Sequence, residues 1–341
     1  MSEEIDDPRH PRVTQNLFGH VEAEQTLLAA YKSGRIAHAW LIGGIRGVGK
    51  ATLAYRMARF VLAHPDPASD AVQSAASLAV DPENSAARKM AAQAHPNLLL
   101  LERTLNDKGK MRTVIAVDDT RRSVSFFGST AGEAGWRVAI IDTVDDLNKE
   151  SANSLLKVLE EPPERSLFLL LSEAGGRVLP TIRSRCRLLS LRPLETPDVE
   201  RALAAIPGID ADATTIREAA VASEGSIGQA LELLDEDTLE LRRQVLAALA
   251  QLPNPDPRAL HALSDAIGGT DPETLALFAE TVNGWLAERL SQISTETAKA
   301  AHTAQAYESI NQAVRDADAY NLDRKPLVFS VFGLLADAAR G

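Results

Sequence analysis

Apolar residues along the 341-residue chain alternate between short unbroken runs and helix-spaced positions, and this pattern divides the sequence. Val21, Leu27, Leu28 and Tyr31 share one face of a helix that Gly34 would stop. Ala37–Ile42 is a short apolar run, predicting a buried strand. A glycine-rich turn follows, and then a helix over Lys50–Ala63. Leu98–Leu101, Arg137–Asp142, Leu167–Ser172 and Arg187–Leu191 are further strand-like runs, and a short strand is expected at Val114–Val117, leading into a helix from about Asp118. Leu147–Glu161 has helical spacing and ends at Pro162-Pro163. Strands that alternate with helices predict a parallel sheet covered by helices on both faces. The expected fold class is therefore α/β.

Beyond Pro193 the strand signal is gone. Residues 194–236 read as a small helical module and 237–341 as a larger one, punctuated by Pro253, Pro255, Pro257 and Pro272. The expected domains are 1–193, 194–236 and 237–341. Residues 64–97, with four prolines, read as a surface excursion holding one helix. Residues 1–12 read as a polar, irregular arm.

Composition narrows the class. Hydrophobic residues make up 45% and aromatic residues only 4%, which favours packed helices over a β-sandwich. Asp+Glu 47 against Lys+Arg 36 leaves a net charge of −11, which argues against binding nucleic acid by overall attraction. Cys186 is the single cysteine, so an internal disulfide and a multi-cysteine zinc module are excluded. The acidic start and the lack of a long apolar run predict a cytoplasmic protein with no membrane association.

Gly44, Gly49 and Lys50 fit the phosphate-loop pattern G-x-x-x-x-G-K-[ST], with Gly47 inside the loop. Glycines let backbone N–H groups close around phosphates, and the lysine reaches the terminal ones. The position of the magnesium-binding hydroxyl holds Ala51, and Thr52 comes one residue late. The loop is thus either a degenerate nucleotide site (Gly44, Gly47, Gly49, Lys50, Thr52 and Asp142) or a retained turn. Asp142 ends a strand, as the magnesium-supporting aspartate of such enzymes does. Thr143 follows it where a water-activating glutamate would stand in a hydrolytic enzyme. Asp145 and Asp146 read as a capping pair for the next helix. Cys186 reads as a small buried residue, and His64 and His95 as surface histidines.

Two further motifs carry a resemblance: Asn153-Ser154-Leu155-Leu156-Lys157-Val158-Leu159-Glu160-Glu161-Pro162-Pro163 and Thr181-Ile182-Arg183-Ser184-Arg185-Cys186. Together they resemble the clamp-loader family of AAA+ ATPases that serves bacterial DNA polymerase III, over about Gly19–Leu191 and more faintly beyond. The altered loop and Thr143 resemble the non-hydrolysing branch rather than the gamma/tau ATPase subunits. The resemblance implies a P-loop AAA+ domain, a helical lid and a helical collar. It implies that Arg185 acts as an arginine finger on a neighbouring subunit's ATP. It also implies gamma/tau and delta subunits as partners, with the sliding clamp and primer-template DNA met through the assembly. Gly228, near a helix start capped by Ser226, replaces the lid arginine of active members. No cofactor is required on this reading; ATP or ADP at the degenerate loop stays open, and zinc is excluded. The rival reading is an active gamma/tau-type ATPase, against which Ala51, Thr143 and Gly228 speak. A small-molecule P-loop kinase fails on the long helical tail.

Overall fold

The computed structural model describes residues 10–104, 112, 114–115, 120, 123, 125–127, 135–269, 272–292, 297–320 and 322–340. The chain divides into two compact units, Met1–Leu231 and Glu232–Gly341.

In the first unit, α1 spans Val21–Lys32, β1 Ala39–Gly43 and α2 Lys50–Ala63; α3 (Asp70–Ser74) and α4 (Ser85–Ala91) follow. Then come β2 (Leu98–Glu102), β3 (Arg137–Asp142), α5 (Lys149–Glu160), β4 (Ser166–Ser172), α6 (Pro180–Arg183) and β5 (Arg187–Ser190). Three lid helices complete the unit: α7 (Thr196–Ala205), α8 (Ala213–Ala222) and α9 (Ile227–Glu232). The one helix expected in 64–97 is two short ones, because Asn84 starts a second by accepting from the Ala86 amide. The strand expected at 114–117 and the helix from Asp118 fall largely outside the described residues; Ile115 forms an isolated bridge with Leu147.

The five strands form one sheet in the order β2-β3-β4-β1-β5, and every pairing is parallel. β4 is buried along its whole length and β3 over its middle four residues, as expected of strands covered on both faces. Leu41, Leu101, Ile141, Leu155, Phe168 and Ile182 pack in one core on one side of this sheet. The helix of Leu147–Glu161 begins two residues later than expected, since Asn148 caps it by accepting from the Ser151 amide at 2.8 Å. Asp145 and Asp146 therefore do not cap it.

Behind the sheet, α2 carries two buried arginines one turn apart. Arg56 donates through Nε to Glu24 of α1 at 2.9 Å and through Nη1 to the Gln15 carbonyl. Arg59 Nη2 donates to the Arg12 carbonyl at 2.7 Å. Burial and the neighbouring Arg56 lower the Arg59 pKa to about 10. These bonds pin residues 12–15 against α2. The arm is irregular, as expected, yet held by charge-assisted bonds. His95, expected at the surface, is buried, with Nδ1 accepting from the Asn97 amide at 3.2 Å. That bond turns the chain into β2.

The second unit is all helix among its described residues: α10 (Glu236–Ala250), α11 (Pro257–Ile267), α12 (Pro272–Gln292), α13 (Thr297–Ala319) and α14 (Lys325–Arg340). Val245, Phe278, Val282, Ile310, Val331 and Phe332 share its core. Asn283 and Asn311 exchange amide hydrogen bonds at 3.0 Å between α12 and α13. No described helix is long and apolar enough to cross a membrane.

Replacing Glu24 with Ala leaves the buried Arg56 without its counter-charge, and the Leu78 amide without its acceptor. Breaking one partner of a buried pair costs about 3–5 kcal/mol. Chemical denaturation of Glu24→Ala should show a loss of that order in the first unit; a loss under about 1 kcal/mol would mean that the arm carbonyls satisfy Arg56 alone.

Candidate functional site

β1 ends at Gly43, and the loop Gly44–Gly49 turns the chain into α2. The Lys50 ammonium donates to two carbonyls of its own loop, Gly44 at 2.9 Å and Ile45 at 2.8 Å. Burial lowers its pKa, opposed by the charges of Glu173, Asp142 and Asp145. Asp142 lies at the end of β3 and accepts from the Thr143 hydroxyl at 3.2 Å. Its carboxyl is raised, first by burial, while that hydrogen bond and Lys50 pull the other way.

The lid closes on this loop. The Gly228 amide donates to the Gly47 carbonyl at 3.0 Å, and the Ser226 hydroxyl donates to the Arg46 carbonyl at 2.8 Å. Ser226 also caps its own helix, accepting from the Gln229 amide. Gly47 has φ +72°, and a Cβ there would lie 2.4 Å from Ser226 Oγ and 2.8 Å from the Gly228 backbone. A Cβ at Gly228 would lie 2.8 Å from Gly47 Cα. The two glycines thus permit a backbone-to-backbone contact that no other residue pair allows without displacement.

His20, just before α1, adds a second brace. Its Nε2 sits 2.8 Å from the Val48 carbonyl. Burial lowers its pKa, against that hydrogen bond and Asp198 of α7. The carbonyl only accepts, so the ring is held with Nε2 protonated.

Beside the loop is a cavity of about 930 Å³, walled chiefly by Val13, Phe18, Ala91, Ala202, Ile206 and Ile227, with Gly49 and Thr52 at its loop side. Thr52 therefore faces this apolar space. Set against the pattern for a magnesium-bound nucleotide, the loop lacks one group, since Ala51 offers no hydroxyl; the Lys50 ammonium is bonded to the Gly44 and Ile45 carbonyls. Among the described residues, no three acidic, cysteine or histidine side chains group to hold a metal.

Asp145 has a function that sequence reasoning missed. One carboxylate oxygen accepts from the Ser172 hydroxyl at 3.0 Å and the other from the Glu173 amide at 2.7 Å. It ties the turn after β3 to the end of β4. Asp146 pairs with Arg103 at 3.1 Å. The only signal for Asp145 was a carboxylate following a strand end.

Arg185 lies between α6 and β5. Its Nη2 donates to Glu160 at 2.7 Å and its Nη1 to the Thr181 carbonyl at 2.8 Å, while a third of the side chain stays exposed. Trp40 in β1 pairs with Arg187 in β5. Arg185 is thus level with the start of β1, while the loop begins past its end. Six residues of strand separate the two levels by about 20 Å. The site residues therefore form two groups: Gly44, Gly47, Gly49, Lys50, Thr52 and Asp142 at one end of the sheet, Arg185 at the other. Arg187 covers the Trp40 ring at 4.9 Å. Cys186 is mostly buried, which pushes its thiol up to about 12 and makes it unreactive at neutral pH.

An all-parallel sheet in this order, with a phosphate-type loop after its first strand and a helical lid seated on that loop, defines the P-loop AAA+ class. A model of the family described as "DNA polymerase III, delta subunit" matches residues 19–195, just over half of the chain, and the chain belongs to that family. DNA polymerase III subunit delta' of Pseudomonas aeruginosa is 33% identical over 217 residues, covering 63% of this chain and 61% of the relative. The delta' subunit of Escherichia coli K12 is 30% identical over 230 residues, covering 66% and 63%. DNA polymerase III subunit gamma of Buchnera aphidicola is 28% identical over 228 residues, covering 66% and 58%. The matched region therefore spans about three fifths of these relatives' length.

Gly47→Ala forces a side chain onto a left-handed backbone and into the Gly228 backbone. It should destabilise the first unit by about 1–3 kcal/mol and lower its melting temperature. An unchanged melting temperature would show that the lid separates from the loop at little cost.

Proposed function

We propose that this chain is a delta'-type clamp-loader subunit of DNA polymerase III. On this reading it does not hydrolyse ATP itself. It serves as a rigid stator and supplies Arg185 to the ATP site of a neighbouring ATPase subunit while the sliding clamp is loaded onto primed DNA.

One observation supports the reading above the others. Arg185 sits about 20 Å along the strands from its own loop, out of reach of any phosphate held there; on this reading it serves a neighbour's. Arginine suits the task because its guanidinium is planar and always charged. It stabilises charge that develops on the transferred phosphoryl group. The chain's own loop lacks the magnesium hydroxyl and the water-activating glutamate, and its lid is bonded to the loop backbone. Such a module keeps one shape while its neighbours cycle. The partners on this reading are gamma/tau and delta subunits, which the second unit would meet as a helical collar. The sliding clamp and primer-template DNA are met through the complex.

The experiment is ATP turnover by the reconstituted assembly with Arg185→Ala in this chain alone. A finger is worth about 10³–10⁵-fold at its own site. Sites that use other fingers continue, so the assembly should lose several-fold in turnover while this subunit's own melting temperature holds. Turnover and clamp loading at wild-type rates would refute the finger.

A further inference from the structure

We propose that Glu160 is the positioning residue for Arg185, holding the guanidinium ready for the neighbour's phosphate; this rests on the finger reading of Arg185. Glu160 is the last residue of α5, and it meets Arg185 Nη2 through a single oxygen at 2.7 Å. The second anchor, the Thr181 carbonyl, belongs to α6. Two different elements therefore converge on one side chain. Pro162-Pro163 ends α5 directly after Glu161, which places the carboxylate at a defined point of the fold.

Helix stability does not explain this acid. A negative charge at a helix C-terminus opposes the negative end of the helix dipole. Its pair with Arg185 is half exposed on the glutamate side, and such pairs add little to folding. What the pair does add is order. An unpaired arginine samples many rotamers, and a finger acts only when its fork is in place as charge develops. The contact is monodentate, and neither anchor uses Nε. The guanidinium keeps donors for a phosphate oxygen while its stem is fixed.

The test is steady-state ATP turnover by the reconstituted assembly, with substitutions in this chain only. Glu160→Ala should lower kcat at least about twofold, but by no more than Arg185→Ala does, with KM for ATP within about twofold, because the loss falls on the transition state. Glu160→Gln keeps an acceptor oxygen and should remain within about twofold of wild type. The double variant Glu160→Ala/Arg185→Ala should be no slower than Arg185→Ala alone, since the glutamate acts only through the arginine. Each variant should melt within about 2 °C of wild type. Glu160→Ala at wild-type turnover, beside an impaired Arg185→Ala, would overturn this inference and leave the finger standing. A double variant well below Arg185→Ala would give Glu160 a separate role and also overturn it. Arg185→Ala at wild-type turnover would instead remove the finger reading and this inference with it.

Discussion

The contact between Gly47 and Gly228 sets the shape of the first unit's functional end. Neither residue has a Cβ, so two backbones approach until the Gly228 amide reaches the Gly47 carbonyl at 3.0 Å. That bond seats the start of α9 on the loop, and the Ser226 hydroxyl bonded to Arg46 fixes its direction. With α9 seated, Ile227 becomes a wall of the cavity beside the loop. His20 completes the joint from the other side by holding the Val48 carbonyl. A larger residue at position 228 has no room for its Cβ in this arrangement.

The parallel sheet converts this joint into a division of labour. All strands run one way, so their C-terminal ends gather the loop, Asp142 and the Asp145 tie at one edge. Their N-terminal ends present Arg185 at the other. An atom fixed near one end cannot reach the other, and a sheet whose central strands β3 and β4 are buried keeps the spacing constant. Lid contact at one end and the Arg185–Glu160 pair at the other both follow from one topology.

Much of this was legible in the sequence. Arg137–Asp142 and Lys50–Ala63 form the expected strand and helix to the residue, because unbroken apolar runs and a glycine-to-lysine transition mark them. The Ser184-Arg185-Cys186 motif singled out an arginine that the structure places between α6 and β5, paired with Glu160. What was not legible depends on residues far apart in the chain. Gly228 read as a missing arginine, but its partner Gly47 lies 181 positions earlier. Asp145 read as a cap because acids often start helices; the neighbouring Asn148 outcompetes it, leaving its carboxylate for Ser172. His95 read as a surface residue because it lies in the proline-rich excursion of 64–97, whereas packing at the entry to β2 buries it. Arg56 and Arg59 carried no signal of their own in the sequence, since their buried partners, Glu24 and the carbonyls of the arm, lie more than thirty residues earlier.

On the proposed reading, this chain's own loop is a structural joint and its chemistry is directed outward. Magnesium-dependent ATP turnover by the purified full chain alone tests it most directly. The expected result is no turnover above background, with or without magnesium. Robust, magnesium-dependent hydrolysis by the isolated chain would contradict it and favour the active gamma/tau-type reading.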